Sequence, residues 1–109
     1  MKLIWSTQAW EDYLYWQATD KGMNKKINEL IREAMRTPFT GKGKPEPLKH
    51  DLAGFWSRRI TLEHRLIYCV EDDALLIAAC RYHYDPEKYR VCEDSSPYNA
   101  TSLSSEGAK

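Results

Sequence analysis

One carboxylate, one imidazole and a group of cations occupy positions from which they could act on a phosphodiester. Glu46 lies between Pro45 and Pro47 in the stretch Lys42-Gly43-Lys44-Pro45-Glu46-Pro47-Leu48-Lys49-His50. The prolines stiffen the backbone on both sides, and the neighbouring lysines favour the ionised carboxylate. His83 lies in Cys80-Arg81-Tyr82-His83-Tyr84. Imidazole titrates nearest neutrality of all side chains, which suits protonating an alkoxide leaving group. Arg58 and Arg59, in Trp56-Ser57-Arg58-Arg59-Ile60-Thr61, and Arg65 supply planar forks able to grip phosphoryl oxygens. A base, an acid and an anion stabiliser are what metal-free cleavage of an RNA phosphodiester needs. A 2′-hydroxyl loses a proton, a crowded phosphorane is stabilised, and a 5′-oxygen gains a proton.

Each residue also has a plainer reading: Glu46 as a solvated loop acid, His83 as an exposed strand end, the arginines as surface cations. It is the combination that points to chemistry. Strand alternation sends Arg58 and Arg59 to opposite faces, so one at most belongs to the site, and Arg59 is favoured. The same alternation turns Tyr82 and Tyr84 away from His83, although Tyr84, at the frayed end, could escape it and stack on a base. His50 and His64 compete with His83 but read as loop and hairpin residues. The three histidines form no zinc pattern and no phosphate-loop glycine motif is present, so neither metal nor cofactor is expected. Cys69, Cys80 and Cys92 make no CxxC pair and read as reduced thiols.

These side chains must be positioned by a small frame. Lys2–Trp5 is a short apolar strand, and Ser6 is placed to cap a helix over 7–20. Trp10, Leu14 and Gln17, with Tyr13 and Trp16, give that helix an aromatic face. Asp20-Lys21-Gly22 breaks it. A second helix from about Met23 to Arg36 puts Met23, Ile27, Leu30, Ile31 and Ala34 on one side. Thr37-Pro38 ends it, and residues 40–50 form an irregular loop. Strands follow at Gly54–Thr61, Arg65–Val70 and Leu75–Tyr82, joined by hairpin connections. The order β-α-α-β-β-β predicts an α+β domain with a helical hairpin on one face of a small antiparallel sheet.

At 109 residues the chain has room for one domain. Its net charge is zero, which argues against indiscriminate coating of nucleic acid. The charge is nonetheless uneven: residues 36–65 carry seven Lys/Arg against three Asp/Glu, and residues 85–109 carry three against five. A basic middle in a neutral chain suits a local phosphate-contacting face. Beyond Asp85 apolar periodicity is lost, so residues 1–84 read as the domain and 85–109 as a disordered extension. No signal peptide or membrane-spanning stretch is expected, and the reading is cytoplasmic.

These same residues carry a resemblance. Lys2 to Ser6, Lys26 to Ile31, Arg36 to Phe39, Gly41 to His50, Phe55 to Thr61, Glu63 to Leu66 and Ala78 to Tyr84 closely resemble the YoeB toxins of the RelE/ParE superfamily. The resemblance covers residues 1–84 and implies a microbial-ribonuclease-like fold and a ribosome-dependent mRNA endonuclease. Glu46 would be general base, His83 general acid and Arg65 the group on the scissile phosphate. Lys49, Arg59 and Tyr84 would position the substrate, with Lys42 and Lys44 adding RNA contacts. The partners implied are a YefM-type antitoxin and the ribosome with its mRNA; a homodimer is allowed, a membrane is not. The alternatives are a ParE-like topoisomerase inhibitor, whose relatives lack the Glu/Arg/His set, and a non-catalytic RNA-binding module of the same fold. The 25-residue continuation past Tyr84 departs from the family's usual length.

Overall fold

The computed structural model describes residues 1–82. His83, Tyr84, Cys92 and the extension expected at 85–109 lie outside the described residues. Along the chain run β1 (Lys2–Trp5), α1 (Thr7–Thr19), α2 (Lys21–Arg36), β2 (Glu46–Pro47), a 3-10 turn (His50–Leu52), β3 (Trp56–Arg59), β4 (Arg65–Glu71) and β5 (Ala74–Ala79). The strands form one sheet in the order β1-β5-β4-β3-β2, and the helical hairpin covers one of its faces. The α+β class expected from the sequence is what the chain adopts. Among the described residues, no helix is long and apolar enough to cross a membrane.

The sheet is mixed rather than wholly antiparallel. β2 to β5 pair antiparallel, but β1 lies parallel to β5, with Lys2 opposite Ala74 and Trp5 opposite Ile77. Ser6 fixes this junction. Its N–H donates to Ile77 O at 2.9 Å, its Oγ donates to Ala78 O at 2.9 Å, and the same Oγ accepts the Ala9 N–H at 3.0 Å. One side chain therefore caps α1 and ties it to β5. The loop at 40–50 is also more regular than expected, because Glu46 and Pro47 pair with Ser57 and Trp56 as a fifth strand.

Both helices are where the sequence indicates, but α2 starts at Lys21 rather than about Met23, so the expected three-residue break shrinks to one residue, and α1 is rotated. Asp20 alone separates them: its N–H donates to Trp16 O at 2.8 Å, and its carboxylate accepts from Gly22 and Met23 N–H. α2 buries Ile27, Leu30, Ile31 and Ala34, as its periodicity predicts. α1 buries Ala9, Asp12 and Trp16, whereas Trp10 and Leu14 stay exposed. The reason is polar. The Asp12 carboxylate accepts the buried Cys80 N–H at 3.1 Å, and an unpaired buried amide would cost more than an exposed leucine. Trp10 instead stacks on Tyr13, with ring centres 5.8 Å apart.

The main core joins Ala9, Trp16, Ile27, Leu30, Ile31 and Ala34 to Ile60, Leu66, Tyr68, Leu75, Ile77 and Cys80. The opposite face carries a smaller cluster of Ile67, Ala78 and Ala79 under Leu48 and Phe55. Burial pushes the Cys69 thiol up to about 11 and raises the Cys80 thiol further, with the Asp12 charge adding to it. Both thiols are unreactive at neutral pH.

Arg58 is fully buried within that main face. Its Nε donates to Tyr68 Oη at 2.9 Å, Nη1 to Lys42 O at 2.7 Å, and Nη2 to Thr37 O and Thr40 O at 2.6 and 2.8 Å. Tyr68 Oη donates onward to Pro38 O at 2.7 Å. The loop after α2 is thus held against the sheet by the Arg58 and Tyr68 side chains as well as by backbone pairing, in which the Arg59 N–H donates to Gly43 O at 2.7 Å. Gly43 lies where this loop meets the sheet, at φ 87; a Cβ there would stand 3.0 Å from Arg58 Cβ and 3.1 Å from Leu30 Cδ2.

Truncating Arg58 removes a donor from three part-buried carbonyls and from the Tyr68 phenol. Arg58→Met should cost about 3 kcal/mol of unfolding free energy, since it strips four hydrogen bonds to a charged donor at once. Arg58→Lys, a point donor in place of a fork, should recover only part of it. Chemical denaturation followed by tryptophan fluorescence checks both. A loss below about 1 kcal/mol for the Met variant would mean the loop is held by other contacts.

Candidate active site

The loop and sheet just described bring Glu46 to Arg65. In the antiparallel ladder Glu46 pairs with Ser57, Ser57 with Ile67, and Arg59 with Arg65. Paired residues share a face and alternate residues repeat it, so these side chains lie on the face away from the helices. Arg65 Nη1 stands 3.5 Å from Glu46 Oε1 and 3.4 Å from Ser57 Oγ. Glu46 is exposed, and the Arg65 side chain is one-fifth exposed. Arg65 Nε is buried without a hydrogen-bond partner among the described residues. Both contacts of Nη1 are long, so the guanidinium fork is oriented by its neighbours without being saturated by them.

Alternation assigns the two adjacent arginines correctly. Arg58 turns inward to the loop, and Arg59 is exposed on the face of Arg65. The lysines divide. Lys49 follows β2 by two residues and leads into the 3-10 turn, close in sequence to Glu46. Lys42 and Lys44 instead line an open groove of about 400 Å³ with Lys26, Glu29 and Leu30 of α2 and with Arg59 to Leu62. Arg59 is common to both regions. A second hollow of about 590 Å³, between Met1, Lys42 and the polar side of α2, lies around Glu33. There the Arg36 hydrogen bond and charge hold the Glu33 carboxyl below its usual value, with Lys42 contributing less.

The other two histidines are placed by the backbone. His50 opens the 3-10 turn at φ 58, and its carbonyl accepts the Ala53 N–H at 3.0 Å. His64 Nδ1 accepts the Tyr82 N–H at 2.7 Å. Its ring stands edge-on to Trp16, with centres 4.8 Å apart at 79°. Sequence reading treated His64 as a hairpin residue. Its contact partner lies 18 residues away, so local spacing carried no sign of it.

β5 stops at Ala79, short of the strand expected to reach Tyr82, and Tyr82 has φ 67. Alternation therefore does not extend to the residues after it. His83 and Tyr84 lie outside the described residues, and the chain runs toward them from Tyr82, whose carbonyl accepts the Arg65 N–H at 2.9 Å. Among the described residues, no three His, Cys, Asp or Glu side chains are grouped to hold a metal ion.

Residues 5–84 match the family model described as YoeB-like toxin of bacterial type II toxin–antitoxin system. The chain is 76% identical over 84 residues to Toxin YoeB of Escherichia coli K12, covering 77% of this chain and 100% of that protein. Among solved structures it is similar to a YoeB dimer from Staphylococcus aureus, with TM-score 0.73 and 52% identity over 77% of this chain and 98% of that one. It is similar also to the toxin of a YoeB–YefM complex from Staphylococcus aureus, with TM-score 0.72 and 50% identity at the same coverage.

Proposed function

The chain belongs to the YoeB-like toxins of bacterial type II toxin–antitoxin systems, and we propose that it inhibits translation as a ribosome-dependent mRNA endoribonuclease acting in the cytoplasm. The observation that supports this most is the Glu46–Arg65 approach at 3.5 Å on an exposed sheet face. A carboxylate and an unsaturated guanidinium at that separation can address a 2′-hydroxyl and its adjacent phosphate together. Residues 1–84 form the toxin domain in this reading.

The chemistry follows from the side chains. Glu46 takes the proton of the 2′-hydroxyl, and the 2′-oxygen attacks phosphorus. Arg65 turns its fork from Glu46 to the phosphorane, whose charge it carries. His83 protonates the departing 5′-oxygen. The products are a 2′,3′-cyclic phosphate end and a 5′-hydroxyl end. Arg59 and Lys49 hold flanking phosphates, Tyr84 stacks on a base, and Lys42 and Lys44 extend the contact along the groove with Lys26. The partner that restrains the toxin is a YefM-type antitoxin, and self-association is expected as in the dimeric relative. Exposed Leu3, Ile4, Trp10, Leu14 and Tyr15 offer apolar surface for such contacts.

An in vitro translation reaction tests this reading. New mRNA ends bearing 2′,3′-cyclic or 3′-phosphate support it. Inhibition of DNA supercoiling without RNA cleavage would replace it with the topoisomerase reading, and ribosome binding with neither would leave an RNA-binding module. Glu46→Gln, Arg65→Ala and His83→Gln should each slow cleavage by about two to four orders of magnitude at nearly unchanged ribosome affinity. Lys42→Ala and Lys44→Ala should weaken ribosome binding and flatten its salt dependence with little change in the rate on bound ribosomes.

Base, acid and cation are all side chains in this scheme. Cleavage should therefore persist when zinc and manganese are chelated at constant magnesium. Restoration of lost activity by either metal would overturn the mechanism.

A further inference from the structure

Among the described residues no strand follows β5, yet Cys80 and Tyr82 are each held at both ends of their backbone. The Cys80 N–H donates to Asp12 Oδ2 at 3.1 Å, and Cys80 O accepts the Trp16 indole N–H at 2.9 Å. The Tyr82 N–H donates to His64 Nδ1 at 2.7 Å, and Tyr82 O accepts the Arg65 N–H at 2.9 Å. Between these clasps the Arg81 guanidinium lies over the Tyr15 ring at 3.6 Å and the Tyr82 ring at 4.9 Å. Tyr82 adopts φ 67, a conformation that an aromatic L-residue keeps only where its surroundings over-determine it. The two hydrogen bonds from the dipeptide His64–Arg65 do so.

We propose that His64 is a positioning residue for cleavage: its Nδ1 fixes the Tyr82 peptide beside Arg65, at the last described residue before His83. The role rests on the cleavage reading above. Nδ1 accepts, so the ring proton sits on Nε2, which faces Glu63 Oε1 at 3.7 Å. The ring cannot swing away, because Trp16 closes one side of it and the Tyr82 ring, 5.4 Å off, the other. Trp16 is itself pinned by its bond to Cys80 O. Cys80, Trp16, His64 and Tyr82 therefore form a closed circuit. The adjacent residue, Arg65, takes part twice, with its backbone on Tyr82 and its side chain at Glu46. A shift of the Tyr82 peptide moves the chain leading to the acid while leaving base and cation in place. Misplacement of about 1 Å in such a constellation costs as much as 100-fold in rate.

Two isosteres separate positioning from packing. Asparagine at 64 can place Oδ1 where Nδ1 now accepts, and glutamine places its oxygen near Nε2 instead. His64→Asn should cleave within about threefold of the parent on saturated ribosomes, because the acceptor is kept. His64→Gln and His64→Phe should be slower by about 10–100-fold, with ribosome affinity unchanged. Exchange of the Tyr82 amide, read by NMR on the isolated proteins, should be slow in the parent and the Asn variant and at least about tenfold faster in the other two. Equal rates for Asn and Gln, or a Tyr82 amide that exchanges freely in the parent, would overturn the role of His64 alone. A parent that protects Tyr82 but cuts no RNA would overturn the cleavage reading and the role together.

Discussion

The molecule depends on a buried guanidinium that has no carboxylate partner among the described residues. Arg58 meets its desolvation cost with four neutral oxygens, three of them backbone carbonyls of the segment after α2. That segment would otherwise be an irregular stretch with little apolar surface of its own. Bound to Arg58, it runs along the sheet edge and presents Glu46 to β3. The fork geometry matters, because one planar group reaches Thr37, Thr40 and Lys42 at once. β3 therefore builds the frame with one arginine and the candidate site with the next.

Much of this was legible in the sequence. The helical hairpin followed from the α2 periodicity and from Asp20, and the three-strand meander from runs of β-branched and aromatic residues between turns. Placing Arg58 and Arg59 on opposite faces needed only strand alternation. The parts that were not legible share a cause: each is decided by a partner distant in sequence. Parallel addition of β1 depends on its pairing with residues 74–77. The rotation of α1 is set by a hydrogen bond from the Cys80 N–H to the Asp12 carboxylate, 68 residues away, which overrides an apolar spacing that would have buried Leu14. The division of the lysines, with Lys42 and Lys44 beside α2, follows from the path that Arg58 imposes on their loop.

The sheet's two faces follow different physics. Towards the helices lie Leu66, Tyr68, Leu75 and Ile77, and the polar atoms there are paired to loops. On the other face a small patch around Ile67 is roofed by Leu48 and Phe55, and beside it stand Glu46, Ser57, Arg59 and Arg65. Leu48 N–H donates to Phe55 O at 2.9 Å, so the roof is braced by a continuation of the ladder that pairs Glu46 with Ser57. An apolar support directly beside a charged row limits water on one side of it and strengthens the fields of its charges.

The parallel pairing of β1 with β5 has a consequence in time. Ser6 and Ala78, joined by a hydrogen bond, are 72 residues apart, and a chain elongating at about 5–20 residues per second needs roughly 4 to 14 seconds to span that interval. Until the second partner exists, Leu3 and Ile4 have no strand to pair with and Tyr82 has not been made. Contacts of such long range also form slowly once they can form. A nascent chain of this protein therefore holds its helical hairpin early, but gains its closed sheet and the Tyr82 contacts only once residues 74–82 have been made.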